Sequence, residues 1–563
     1  MENRTLLFLA LVFVTFLMWQ EWQKDYGPKP VTPTVTGEQG KTTGAADSGD
    51  VPTANESTGR QTSASSTSDV PGEKSTLQKQ QRISVKTDLF GIEIDTLGGD
   101  LRTVDLLKYP VEVDKPEQPF RLMSEDHNNL FIAQSGFANK KSSTDYLVKA
   151  PNHNTIYSAA QTSYAMKDGE DRLDVSMSWT SPEGVVFTKH FIFERGSYVV
   201  QVKHAVANKS GKEWRGNSYF QLQRNKDAKD GTSQFVYSYL GGVVYSPEEK
   251  YKKISFDDMK DENLKRDIKG GWAAMIQHYF LAAIIPDASQ AQSYYSYSIN
   301  NDTRFALGYQ SQQLSVTPGG TGEISSRLFV GPKLQNTLEK VAPGLELTVD
   351  YGWLTILSKP LFWLLDWLHR MLGNWGWAII VLTIMVKGAF YKLSEKGYKS
   401  SANMKRIAPR MQALKERCGD DKQKYAMAMQ EMFRKEKVNP MGGCLPILVQ
   451  IPVFIALYWV LLESVELRQA PWALWIIDMS RADPYFVLPV LYGITMFIQN
   501  KLNPAPPDPM MAKMMMMMPI GLTVLFAFFP AGLVLYWVVS NILSIAQQAY
   551  ITKVVLADGK PVS

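Results

Sequence analysis

Cysteine is almost missing from this chain: of 563 residues only Cys418 and Cys444 carry a thiol. The long polar half before them therefore has no disulfide framework, which does not exclude an exported compartment. Nothing resembles a nucleophile elbow, a phosphate-binding loop or a metal cluster, so neither a cofactor nor a catalytic residue is expected. The formal net charge is only +5, too weak for a nucleic-acid footprint. Aromatic residues are nearly absent from Gly27 to about Gln81, where Pro, Thr, Ser, Gly and Gln dominate. Such a segment (27–81) buries too little apolar surface to offset its chain entropy and reads as a disordered linker.

What is present divides near residue 350. Leu6 to Trp19 is a short apolar run whose exit, Met18-Trp19-Gln20-Glu21-Trp22, lacks a small-x-small cleavage signature. Residues 1–26 therefore read as an uncleaved signal anchor with a cytoplasmic amino terminus. From Arg82 onward, β-branched and aromatic runs (Ile83–Val85, Ile92–Ile94, Val185–Phe193, Tyr198–Val206) are broken by Gly, Pro, Asn and Asp. Many short strands without intervening helices predict a large all-β sandwich over 82–350. Glu194 to Ser197 reads as a hairpin turn. A four-residue loop there pairs His190 with Gln201 and sends His204 to the opposite face, so the two form no dyad.

The second half is apolar in blocks. Residues 351–372 place Thr355, Lys359, Asp366 and His369 on one face and read as an amphipathic helix in the outer interface, interrupted by Pro360. A span is expected at 373–393: Asn374 to Lys392 is long enough to cross about 30 Å of bilayer core at 1.5 Å per residue, with Trp375 and Trp377 marking one interface and Tyr391 with Lys392 the other. Later blocks give spans at 441–466, 484–500, 514–529 and 530–551, the last two separated at Phe529-Pro530-Ala-Gly532. Between them lie a cytoplasmic helical hairpin (394–440), an exported loop (467–483), a cytoplasmic loop (501–513) and a cytoplasmic tail (552–563). Lys392 to Asn439 carries 13 Lys and Arg against 6 Asp and Glu, which fixes that loop inside by the positive-inside rule. Six spans with both termini cytoplasmic follow, five of them after the sandwich.

Polar residues in these spans are few. Lys387 is the one cation, Thr383 stacks on its face four residues earlier, and no intramembrane carboxylate pairs with it. An ammonium at that depth costs about 2.5–3.5 kcal/mol on insertion scales. Either the lysine reaches the near interface along its stem, or a wet inner-leaflet cavity keeps the charge for an acidic passenger. Gln450 is the strongly polar side chain of its span. In the last span Trp537, Ser540, Asn541, Ser544 and Gln547 recur every three to four residues as a polar stripe, which equally suits helix–helix adhesion. The methionines Met514 to Met518 are either plain filling or an adaptable apolar surface.

Asn439-Pro-Met-Gly-Gly-Cys-Leu-Pro-Ile-Leu-Val-Gln-Ile-Pro452, with Phe454 and Ala456-Leu-Tyr458 behind it, resembles the third-span signature of the YidC/Oxa/Alb membrane protein insertases. Ser464 to Pro471, Gly532-Leu-Val-Leu-Tyr536 and Ser540-Asn541 resemble that family too. Gly271-Trp272 and Gln277-His-Tyr-Phe280 are similar to the large periplasmic domain of its Gram-negative branch. The resemblance implies a five-helix core enclosing a hydrophilic groove, closed to the exported side and open to cytoplasm and lipid, beneath a periplasmic β-supersandwich related to sugar-binding folds. The implied groove residues are Lys387, Thr383, Gln450, Tyr536, Trp537, Ser540 and Asn541. Where this chain has Lys387 the family usually has arginine, so the charge is kept but the bidentate fork is not; where it has Trp537 the family often has tyrosine. The implied role is a non-enzymatic insertase and chaperone of the bacterial inner membrane. Its implied partners are nascent membrane proteins, the Sec translocon (SecYEG, SecDF), the ribosome and anionic phospholipids. A membrane-anchored periplasmic carbohydrate-binding or carbohydrate-active protein is the rival reading, and it leaves five further spans unexplained.

Overall fold

The computed structural model describes residues 77–138, 149–226, 239–300, 302–419, 421–436, 445–503 and 509–558. The expected anchor, nearly all of the linker, the stretch 437–444 and the end of the tail lie outside the described residues. Those described belong to one compact unit, Asp50–Ser563.

The amino-terminal part is a two-layer β structure. Val199–Asn208 alternates strictly, with Val200, Val202, His204 and Val206 buried and Gln201 and Lys203 half-buried, as period-2 patterning requires. Among the described residues the strands form a ten-stranded and a nine-stranded sheet. The long strands Trp214–Asn225 and Arg304–Val316 pair antiparallel at the centre of the first, and Val199–Asn208 with Thr321–Pro332 in the second. Phe220, Leu222, Phe305 and Leu307 from one sheet share a core with Val200, Val202, Ala283 and Phe329 from the other. A sandwich is thus observed where the sequence predicts one. The hairpin register differs by two residues: His190 pairs with Lys203 and Ile192 with Gln201. The strands run to Glu194 and from Val199, so the loop is Arg195–Tyr198, with Gly196 at a φ of 72° that favours glycine. Parity is unchanged, so His204 is buried while His190 stays half-buried beside Asp174.

After the short helix Gln335–Val341 come eight more helices among the described residues: α1 (Thr355–Leu372), α2 (Trp375–Ala389), α3 (Tyr391–Cys418), α4 (Lys422–Lys435), α5 (Leu445–Glu463), α6 (Val487–Leu502), α7 (Pro509–Phe526) and α8 (Ala531–Asp558). Pro360 does not interrupt α1; it sits within the first two turns of a continuous helix. Phe362, Leu365 and Leu368 turn α1 inward, while Ile356, Trp363, Trp367 and Met371 stand exposed. Gly373, at a φ of 66°, ends α1 and donates to the His369 carbonyl, a left-handed cap that lets α2 start at once. The side chain of Asn374 then caps α2 by accepting from the Trp377 amide. The expected span 373–393 is not one straight helix: α2 stops at Ala389 and the chain bends by 67° into α3. Ala531–Val554 is the one described helix long and apolar enough to cross a membrane, with the bent α2–α3 pair as a second. Val449–Glu463 and Lys513–Phe526 are shorter apolar helices. The buried core runs without a break from the sandwich through Tyr351 into these helices.

Candidate functional site

Three helices meet at Lys387. From α2 its Nζ donates to Ser544 Oγ on α8 at 2.9 Å and, more loosely, to Gln450 Oε1 on α5 at 3.4 Å. Gln450 also meets the Tyr536 hydroxyl of α8. Ser544 in turn donates to the Ser540 carbonyl one turn back, at 2.8 Å. The result is a polar notch with one cation and only neutral acceptors around it. Among the described residues no carboxylate lies at ion-pair distance from Lys387, and no group of metal ligands occurs.

The other sequence-predicted residues scatter around this notch. The Thr383 hydroxyl is fully buried and spent on the Ile379 carbonyl of its own helix at 2.7 Å, so it does not reach the ammonium. Asn541 donates to Thr495 Oγ1 on α6 at 3.3 Å. Trp537 stacks on Phe526 with ring centroids 3.8 Å apart and on Phe454 at 5.2 Å, inside an aromatic cluster that includes Tyr492 and Phe529. It is the apolar wall of the site and not part of its polar floor. Ser544, the nearest partner of Lys387, is absent from the set of seven groove residues although it belongs to the predicted stripe.

The loop 464–484 packs over the starts of α2 and α8. Trp472 packs on Gly376 so tightly that a Cβ there would lie 2.1 Å from the indole. Asn374 donates to the Trp472 carbonyl at 3.0 Å, and the amides of Ala531 and Gly532 donate to Arg481 and Met479 carbonyls at 2.7 and 3.0 Å. Asp483, buried, accepts from Trp475 Nε1 and from the amides of Tyr485 and Leu488. The same loop grips the β-domain. The Arg468 guanidinium lies over the rings of Phe120 and Phe280 and donates to the Pro110 carbonyl at 2.8 Å, joined there by Gln469 at 2.6 Å. His278 Nε2 reaches the Leu462 carbonyl at 3.1 Å. Burial, with Lys333 nearby, pushes the His278 imidazole down to about 3, outweighing the pull of that carbonyl, while the buried Glu463 Oε1 stands 3.8 Å from Nε2. Two stretches that the sequence presents as separate family marks, 277–280 and 464–471, are one interface.

The chain is thus a β-sandwich docked on a helical bundle that carries a cation-bearing polar notch and, among the described residues, one helix long and apolar enough to cross a membrane. Comparison with known proteins agrees. Residues 82–364 match the family model described as the YidC periplasmic domain, and residues 367–558 match that of the 60Kd inner membrane protein. The chain is 48% identical to the membrane protein insertase YidC of Thioalkalivibrio sulfidiphilus over 100% of both chains. It is 51% identical to that of Alkalilimnicola ehrlichii, over 98% of this chain and 96% of the relative. A solved active YidC insertase covers 84% of this chain and 92% of its own at 18% identity, with a TM-score of 0.38. The chain belongs to the YidC family of membrane protein insertases, inner-membrane proteins with a periplasmic domain.

Proposed function

We propose that the chain inserts membrane proteins into the bacterial inner membrane through the notch around Lys387, alone or beside the Sec translocon. The observation that carries this reading is an ammonium held between neutral acceptors, Ser544 and Gln450, with no paired carboxylate among the described residues. A cation without a fixed counter-ion is a poor brace and a good transient partner for an acidic segment. Lys387, Gln450 and Tyr536 form the polar wall, with Ser540 and Asn541 beside it. Trp537 and its aromatic neighbours form the apolar track along which a client helix leaves, and Thr383 shapes α2.

In this account α2, α5, α6, α7 and α8, with the opening apolar run, make six spans, and both termini are cytoplasmic. The basic arms α3 and α4 support that sidedness and offer a surface to anionic headgroups. The 15 residues of α2 and the 16 of α6 rise only about 22–24 Å, against about 30 Å for a bilayer core. Short spans thin the bilayer around them, and the notch shortens the apolar path further. A client's hydrated acidic tail exchanges part of its water for Lys387 and the stripe. Its apolar helix then enters lipid, gaining about 25 cal/mol per Å² buried, while the membrane potential draws the tail outward at about 2.3 kcal/mol per charge per 100 mV.

The test is a substitution series at Lys387, scored by insertion of an acidic-tailed single-span client into inverted membrane vesicles depleted of the native protein. Lys387→Arg is expected to insert normally. Lys387→Ala is expected to insert about tenfold less, an interaction of about 1.4 kcal/mol, and Lys387→Glu less again. Equal insertion by all three would overturn the reading and return Lys387 to the interface along its own stem.

A further inference from the structure

The Lys387 ammonium has three N–H groups and, among the described residues, two acceptors, of which only Ser544 Oγ is at full hydrogen-bond distance. The geometry around that hydroxyl is complete. It donates to the Ser540 carbonyl at 2.8 Å, which turns its two lone pairs away from α8. One takes the Lys387 N–H, and the Tyr398 hydroxyl, from α3, stands on the side of the other. Tyr398 does not come alone. The α3 residues Tyr391, Ser394, Tyr398 and Ala402 fall on one helical face. Ala402 and Tyr398 pack on Ile551 of α8, and the Tyr391 carbonyl accepts from Gln547 at 3.0 Å. The first three turns of the basic cytoplasmic arm therefore lie along α8, beside the notch, hinged on α2 at Phe390 by the 67° bend.

We propose that Ser544 is the positioning residue of the insertion site, and that Tyr398 makes the cytoplasmic arm α3 the element that sets where the Lys387 charge stands. This rests on the reading of Lys387 as the client-facing charge. A hydroxyl fixed by its own carbonyl on one side and by Tyr398 on the other holds the ammonium in the notch and stops it from rising along its stem. Two N–H groups are then occupied by neutral acceptors and the third faces an incoming carboxylate. When α3 swings at its hinge, Tyr398 leaves, and the grip of Ser544 on the ammonium slackens. The arm's position thereby regulates discrimination between acidic and neutral client segments.

The test uses the full chain in proteoliposomes and two otherwise identical single-span clients, one with an acidic translocated tail and one with a neutral tail. The readout is the ratio of their insertion. Ser544→Ala is expected to lower that ratio about tenfold, the weight of one hydrogen bond to a charged group, and Ser544→Thr to restore it, since a helical threonine makes the same back-bond. Tyr398→Phe, which removes one oxygen and spares the packing of the ring, is expected to lower the ratio about threefold. In a Lys387→Ala background neither change should move the ratio further. A fall in both clients alike, or a Tyr398→Phe ratio equal to the parent's, would make Ser544 mere helix adhesion and overturn the proposal. If Lys387→Ala alone leaves the ratio unchanged, the underlying reading of Lys387 has failed instead.

Discussion

Lys387 could be singled out in the sequence because an isolated cation in an apolar run has a known energetic penalty, and the structure gives it partners that fit that isolation. The buried cations of the β-domain gave no such signal. Lys189 is 1% exposed, with its ammonium on the carbonyls of Gly98 at 2.6 Å and Ser135 at 2.8 Å, yet it sits in a strand whose sequence reads as ordinary alternation. The stripe on α8 was legible as a stripe and not as a site. Trp537 and Ser544 are seven residues apart, so they share a face but differ by about 10 Å in height. Periodicity fixes the angle and says nothing about which neighbour stands opposite at each level. Trp537 meets rings and Ser544 meets the ammonium. Trp537→Ala is accordingly expected to lower stability by about 3–5 kcal/mol through the cavity it leaves among Phe454, Tyr492 and Phe526. Trp537→Tyr should cost much less. Thermal unfolding of the detergent-solubilised protein measures both.

Among elements, the strands and helices follow their patterns, and the errors lie at their ends. The hairpin is displaced by two residues because loop geometry sets register, and the same hydrophobic parity is satisfied by either pairing. α2 stops at Ala389, directly after Gly388, a poor helix former, but a single glycine does not announce the 67° bend by which α3 comes to lie along α8. Close approaches were equally illegible. Gly376 reads as a poor helix former, whereas in the fold it is the floor on which Trp472 sits. Gly376→Ala is expected to lower the melting temperature, an overpacking penalty of about 1–3 kcal/mol. It should also open the 464–484 loop to protease added on the periplasmic side. An unchanged melting curve would show that this loop is not tightly seated.

For the whole molecule, the two parts are mechanically joined through Arg468 and His278, a junction that neither part's sequence reveals alone. His278 carries a pH dependence of defined sign. Its folded value, about 3, lies below the ordinary histidine value of 6.5. The undocked state therefore takes up a proton first, and docking stability is full above pH 6.5 and falls as pH drops toward 3. The slope is at most about 1.4 kcal/mol per pH unit. Acidification from pH 7.5 to 5 is expected to lower the amide protection factors of the strand Phe280–Pro286, each referenced to the intrinsic exchange rate at its own pH. His278→Gln, which keeps a donor for the Leu462 carbonyl without the titration, should reduce that loss of protection.

The helical core with its Lys387 notch is expected to perform insertion by itself once the purified chain is reconstituted into liposomes that contain no other protein. A single-span client with a short acidic tail is added, and the tail is scored for translocation by protection from external protease. Protection well above that of empty liposomes is expected, lost on Lys387→Glu and retained when residues 82–330 are deleted. Background protection with a folded, correctly oriented chain would contradict it, and would move the working surface to the β-domain or to a partner.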